Sequence, residues 1–200
     1  ILFIVLDDLG FNDLGVNSAT VGHTPNLNQL ASQGARFTRN YVDSTCSATR
    51  AGILTGRYPA SLGFRPAGRG ISTEVITLPD MLRAAGYTTH HVGKWHLGWN
   101  WDAIKRPDAK PAPGSGYASA DFDWTKPIPG GPRDHGFDYY FGDDVPNFPP
   151  YAWFENDRVI TIPSVPLVTP PKTAEGAWEA RPGPMTPGWD FTAVMPRLTE

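Results

Sequence analysis

A chain of 200 residues with 40% apolar content is long enough to bury one sizeable core, and its net charge of −3 offers no basic footprint for nucleic acid or an anionic membrane. Its single cysteine excludes an intramolecular disulfide and leaves one thiol, Cys46, to be explained. No apolar run reaches the roughly 18 to 20 residues that span a bilayer, and the chain opens with Ile1 already inside an apolar run, so the natural start is expected to lie upstream.

In chain order, Ile1-Leu2-Phe3-Ile4-Val5-Leu6 is a continuous apolar run suited to a strand buried on both faces, and it stops at Asp7-Asp8. Thr24-Pro25 supplies an N-cap and a first-turn proline, Leu27, Leu30 and Ala31 share a face, and Gly34 ends the pattern, which predicts a helix over residues 25–33. Residues 37–42 read as a short extended segment. Residues 48–55 read as a helix closed by Gly56, with Cys46 at its N-terminus. Thr77-Leu78-Pro79 starts a helix that runs through Ala85 to Gly86, and the β-branched and aromatic residues 87–92 form a strand ending at Gly93-Lys94-Trp95-His96.

Only 4 of the 21 prolines fall in residues 1–100 and the other 17 in residues 101–200. Residues 1–101 therefore read as an α/β core, residues 102–190 as Pro/Gly-rich loops with a small hairpin near residues 154–159, and residues 191–200 as the start of a helix. The β-α alternation predicts a mostly parallel central sheet flanked by helices, with ligands gathering beyond the carboxyl ends of the strands. Asp7-Asp8 and the Lys94/His96 pair both follow such ends.

Two adjacent ionised carboxylates in a poorly solvated place repel each other, and a divalent cation resolves the repulsion. Hard oxygens suit calcium, or less well magnesium, and there is no Cys/His cluster of zinc spacing. Taken alone, the pair reads more simply as a helix cap or solvated loop pair, Cys46 as a small buried hydrophobe, and His96 as structural. His90 and His91 receive no role, and Trp99, Trp101 and Trp124 read as packing or rim residues.

Cys46-Ser47-Ala48-Thr49-Arg50, continuing through Leu54-Thr55-Gly56-Arg57, resembles the signature of type I sulfatases in the alkaline phosphatase superfamily. Leu6-Asp7-Asp8-Leu9-Gly10 resembles the opening metal-binding segment of that family, and Thr24-Pro25-Asn26-Leu27 its first helix. Val92-Gly93-Lys94-Trp95-His96-Leu97-Gly98 resembles its second diagnostic segment, and His135-Gly136-Phe137-Asp138 with Tyr139-Tyr140-Phe141-Gly142 a further one. Ala48 stands where the core usually carries proline.

This resemblance implies an alkaline-phosphatase-like sulfatase domain, incomplete at its C-terminus, in which Cys46 is oxidised to formylglycine by a formylglycine-generating or other maturating enzyme. It implies that Arg50 holds the modified residue, that Lys94 and His96 bind sulfate, and that Asp7, Asp8 and the modified Cys46 ligate calcium. The aldehyde hydrate would attack sulfur, displace the alcohol and then expel sulfate. In an extended segment the i, i+2 spacing of Lys94 and His96 would point both at one anion, with Trp95 facing away. The helix after Cys46 would add backbone N–H groups. The expected substrate is a sulfated small molecule or glycan, and the expected location is periplasmic, extracellular or lysosomal. Further ligands in the family come from a later segment, so the 200 residues alone are expected to be inactive. A phosphonate or phosphodiester hydrolase of the same superfamily, or a noncatalytic sulfoglycan-binding relative with an unmodified Cys46, are the alternatives; oligomeric state is not legible.

Overall fold

The computed structural model describes residues 1–18, 22–63, 70–111, 117–168, 172–173, 176–177 and 180–200. Parts of the expected loop region, residues 112–116, 169–171, 174–175 and 178–179, lie outside the described residues. The chain divides into two compact units, Ile1–Thr49 and Arg50–Glu200. No helix among the described residues is long and apolar enough to cross a membrane.

In the first unit, residues 1–6 form no strand, and their side chains are exposed, from 93% for Ile1 to 41% for Val5. The expected buried strand is therefore absent. An apolar run becomes a strand only when neighbouring strands satisfy its backbone groups, and no strand pair in the described residues includes it. Residues 37–42 are likewise unpaired and exposed.

Helix α1, Pro25–Gln33, forms where expected and carries proline in its first turn. Thr24 occupies the N-cap without a side-chain cap bond. Its hydroxyl instead accepts the Gly15 N–H at 2.9 Å and faces Asn28 Oδ1 at 3.2 Å, tying the preceding loop to the helix. Helix α2, Cys46–Thr55, begins two residues earlier than expected, at Cys46 itself.

The second unit opens within α2 and continues to α3, Leu78–Ala84. Here the cap is complete: Asp80 N–H reaches the Thr77 hydroxyl at 3.4 Å, and the Asp80 carboxylate accepts the Thr77 N–H at 3.0 Å. The Thr77 hydroxyl also donates to the His135 carbonyl at 2.7 Å, which fastens α3 to the segment that leads into Tyr139.

Strand β1, His90–Val92, runs parallel to β2, Tyr139–Gly142. The hairpin of β3, Phe154–Glu155, and β4, Arg158–Val159, then adds antiparallel strands in the order β1-β2-β3-β4. Asn156 turns this hairpin at φ 57°, a left-handed position that asparagine tolerates. The described sheet is thus mixed, with one parallel pair, rather than mostly parallel. The loop region adds an antiparallel pair of β5, Val165–Leu167, with β8, Gly183–Met185, and a short pair of β6, Lys172–Thr173, with β7, Gly176–Ala177. Helix α4, Val194–Thr199, follows a single tight turn at Phe191–Ala193.

The core of this unit is aromatic. Trp95, Tyr140 and Phe154 are almost wholly buried together with Leu97, Ile104 and Ile128. Trp99 stacks on Phe154 with ring centroids 5.2 Å apart and 23° between planes. Large flat side chains deliver much buried area for little lost rotamer freedom, which suits a region whose connections are mostly loops. Trp99 and Trp124 belong to this core and Trp101 packs on it, in keeping with the packing role expected for them.

Candidate active site

The parallel pair determines where the second unit gathers its polar groups. Past the ends of β1 and β2 the two strands leave the sheet side by side, with the Gly93 N–H donating to the Phe141 carbonyl at 2.9 Å. A Cβ on Gly142 would lie 2.2 Å from the Gly93 carbonyl oxygen, so glycine is required for the approach. The residues that follow are Lys94-Trp95-His96 on one side and Asp143-Asp144 on the other.

Among the described residues, four hydrogen bonds to other segments hold the backbone of residues 94–96. The Lys94 carbonyl accepts Arg50 Nη1 at 2.6 Å and lies 3.1 Å from His91 Nε2. Because a carbonyl can only accept, His91 makes this bond with its proton on Nε2. On the other side, the Trp95 N–H donates to the Asp144 carbonyl and the His96 N–H to Asp144 Oδ1, both at 3.1 Å. Trp95 points into the core, as its expected opposite facing requires, while Lys94 and His96 are half-buried. The segment is not extended, however. His96 has φ 56°, and this left-handed kink replaces the strand geometry on which the simple alternation argument rests.

Burial sets the protonation of the neighbouring groups. The His91 ring, packed between Tyr140 at 5.5 Å and Phe137 at 5.1 Å, is pushed down to about 4. Desolvation dominates, the bond to Lys94 opposes it and the Arg50 charge adds to it, so His91 is neutral at neutral pH. Asp143, 2% exposed, is pushed up to about 6 by desolvation, with Lys94 and Arg50 pulling back. Among the described residues its carboxylate oxygens have no hydrogen-bond partner beyond its own backbone N–H. Asp144 is also raised to about 6 by desolvation, offset chiefly by its bond from His96. Tyr140 is raised well above its ordinary range by burial, and its hydroxyl donates to the Asp143 carbonyl at 3.2 Å.

The remaining expected site residues lie in the first unit. Cys46 is the first residue of α2 and partly buried, where backbone N–H groups of the opening turn lack helical partners. Cys46 and Arg50 stand one turn apart on the same helix. Asp7 and Asp8 are both exposed, and Asp8 adopts φ 61°. Both residues therefore lie at the surface in this structure rather than buried at a strand end, because the preceding run is not a strand. Their hard oxygens fit calcium in kind. In number they fall short of the roughly six to eight oxygens calcium takes, and no group of three or more His, Cys, Asp or Glu is assembled among the described residues.

Asp143 and Asp144 escaped the sequence reading. Their signal was present: an acidic pair directly after a short apolar strand, the same pattern that singled out Asp7-Asp8. A shallow cleft of about 200 Å³, lined by Trp99, Ile128, Gly131, Arg133, Asp134 and Asn156 among others, lies apart from these groups and includes none of Arg50, Lys94, His96 or Asp144.

These features define an α/β protein that collects basic and acidic groups at the carboxyl ends of adjacent parallel strands. Residues 1–162 match the family described as Sulfatase, and the chain belongs to that family. It is 47% identical over 105 residues to arylsulfatase A of Bos taurus, covering 49% of this chain and 21% of that protein. It is 34% identical over 165 residues to N-acetylgalactosamine-6-sulfatase of Mus musculus, covering 76% of this chain and 26% of that protein. A solved structure from work on the metabolism of multiple glycosaminoglycans by Bacteroides thetaiotaomicron superposes with a TM-score of 0.60 at 34% identity, over 77% of this chain and 30% of that one. The chain thus spans about a quarter of the length of these curated relatives. It shares their α/β sulfatase fold.

Proposed function

We propose that the protein hydrolyses sulfate monoesters to an alcohol and inorganic sulfate, with Cys46 converted to formylglycine as the nucleophile. The observation that carries this reading is the bond from Arg50 to the Lys94 carbonyl at 2.6 Å. It joins Arg50, the arginine of the first motif, to the segment bearing Lys94 and His96, 44 residues further along the chain.

A sulfate monoester carries its charge on nonbridging oxygens and repels a nucleophile until that charge is balanced. Lys94 and His96 would grip those oxygens, and the neutral His91 would keep the Lys94 carbonyl in place without adding a competing charge. Arg50 would orient the first turn of α2, whose backbone N–H groups favour an anion. Asp7 and Asp8, with the modified Cys46, would provide part of a calcium site, the other donors coming from elsewhere in a protein of the relatives' length. Calcium, when bound, would supply positive charge to the sulfate oxygens and lower the pKa of an attacking hydroxyl.

Kinship with N-acetylgalactosamine-6-sulfatase over 76% of the chain supports a sulfated sugar as substrate. An exported location, periplasmic, extracellular or lysosomal, is part of the same proposal by analogy with the sulfatase family. Since two carboxylates do not complete a calcium site, the 200 residues alone are expected to show no turnover.

The test is mass analysis of the Cys46 peptide from protein coexpressed with a formylglycine-generating enzyme, paired with an aryl-sulfate assay on a protein of the relatives' length. Conversion to the aldehyde with turnover supports the proposal. An intact thiol without turnover sinks it.

A further inference from the structure

We infer that Asp144 is a positioning residue for the sulfate grip, holding the left-handed turn at His96 so that Lys94 and His96 face one anion. The inference rests on the proposed reading of Lys94 and His96 as sulfate ligands.

A residue with a side chain rarely adopts positive φ unless its surroundings over-determine the conformation. His96 sits at φ 56°. Two bonds from one residue fix it there: the Asp144 carbonyl takes the Trp95 N–H and Asp144 Oδ1 takes the next N–H along, that of His96, each at 3.1 Å. The backbone bond alone would tolerate rotation about the Trp95–His96 peptide. The side-chain bond removes that freedom, because the two successive N–H groups must then point to the same residue. Arg50 and His91 hold the opposite edge through the Lys94 carbonyl.

The side of the segment matters as much as the bond. In an extended chain, Lys94 and His96 would share a face by alternation. With His96 turned left-handed, alternation no longer aligns them, and their relative direction is set by the contacts on the peptide units between them. Asp144 makes two of these contacts and comes from the end of the adjacent parallel strand, so the sheet itself carries the alignment. Without the carboxylate acceptor, His96 would relax toward ordinary negative φ and its imidazole would change direction relative to Lys94.

The experiment compares Asp144→Asn, which keeps an acceptor oxygen, with Asp144→Leu, which has similar size and none. Both are neutral, so charge is not the difference between them. Two quantities are read: hydrogen exchange of the His96 amide, and affinity for inorganic sulfate. The Asn156 amide, which donates to the Tyr140 carbonyl at 2.8 Å, serves as the control for an intact sheet. The leucine variant is expected to exchange His96 about tenfold faster and bind sulfate about tenfold more weakly than the asparagine variant, the scale of one lost hydrogen bond. Asp144→Ala replaces leucine if the control amide shows the sheet disturbed. Equal His96 exchange in the two variants overturns the clamp, and altered exchange with unchanged sulfate affinity overturns its positioning role. Altered exchange in a protein that, even unsubstituted, binds no sulfate overturns the reading of Lys94 and His96 as ligands and with it the role assigned to Asp144, while leaving the clamp itself established.

Discussion

Two apolar stretches of this chain meet opposite fates. Residues 1–6 are apolar at every position and yet exposed, while Trp95, Leu97 and Trp99 alternate with Lys94, His96 and Gly98 and are 1%, 1% and 8% exposed. Hydropathy favours the first as a buried strand. Burial goes to the second because Phe137, Tyr140 and Phe154 present a surface that the tryptophans fill. A run of apolar residues is a demand for neighbours, and other parts of the chain must meet it.

The largest way to break this contrast is Trp95→Ala. Removing a wholly buried indole that meets His135 at 5.3 Å should cost about 3–5 kcal/mol, read from the denaturant midpoint of unfolding.

A middle-sized effect concerns the acidic pair beside that core. Asp143 is raised from 3.8 to about 6 in the folded protein. Below pH 3.8 both states hold the proton and the group contributes nothing. As pH rises to 6 the unfolded chain releases a proton that the folded chain keeps, so stability falls, by at most about 3 kcal/mol. Asp143→Asn removes this loss without breaking a bond to another described residue. Its stability advantage over the parent should grow from pH 4 to pH 7 in parallel urea titrations, and a flat difference would contradict the burial of this carboxyl. His91 acts in the opposite sense. Its folded value of about 4 lies below the unfolded 6.5, so stability falls as pH drops through that window. The difference between variant and parent cancels this contribution.

The smallest effect sharpens the other side of the contrast. Ile4 is 62% exposed, so Ile4→Ser should change the stability of this 200-residue chain by no more than about 0.5 kcal/mol. A loss above 2 kcal/mol would mean that the run is covered after all.

Local signals made much of the fold legible. Proline at a first turn announced α1 and α3, with Thr77 ahead of it at the start of α3, and the polar turn within residues 154–159 marked the β3-β4 hairpin. Arg50, Lys94 and His96 were singled out because they lie in short contiguous motifs. Asp143 and Asp144 were not: the acidic pair after a short strand was visible, but its placement beside residues 94–96 comes from the register of β1 against β2, which no local pattern encodes.

The sequence by itself determined membership of the sulfatase family, the helices whose caps are written within four residues, and the position of the single thiol, Cys46, at the head of α2. All of these depend on neighbours along the chain. Tertiary structure decided that residues 1–6 stay exposed, that the described sheet is mixed, and that His96 turns left-handed against Asp144. Each of these depends on hydrogen bonds or packing between segments tens of residues apart, where backbone groups and side chains find partners only once the chain has closed on itself.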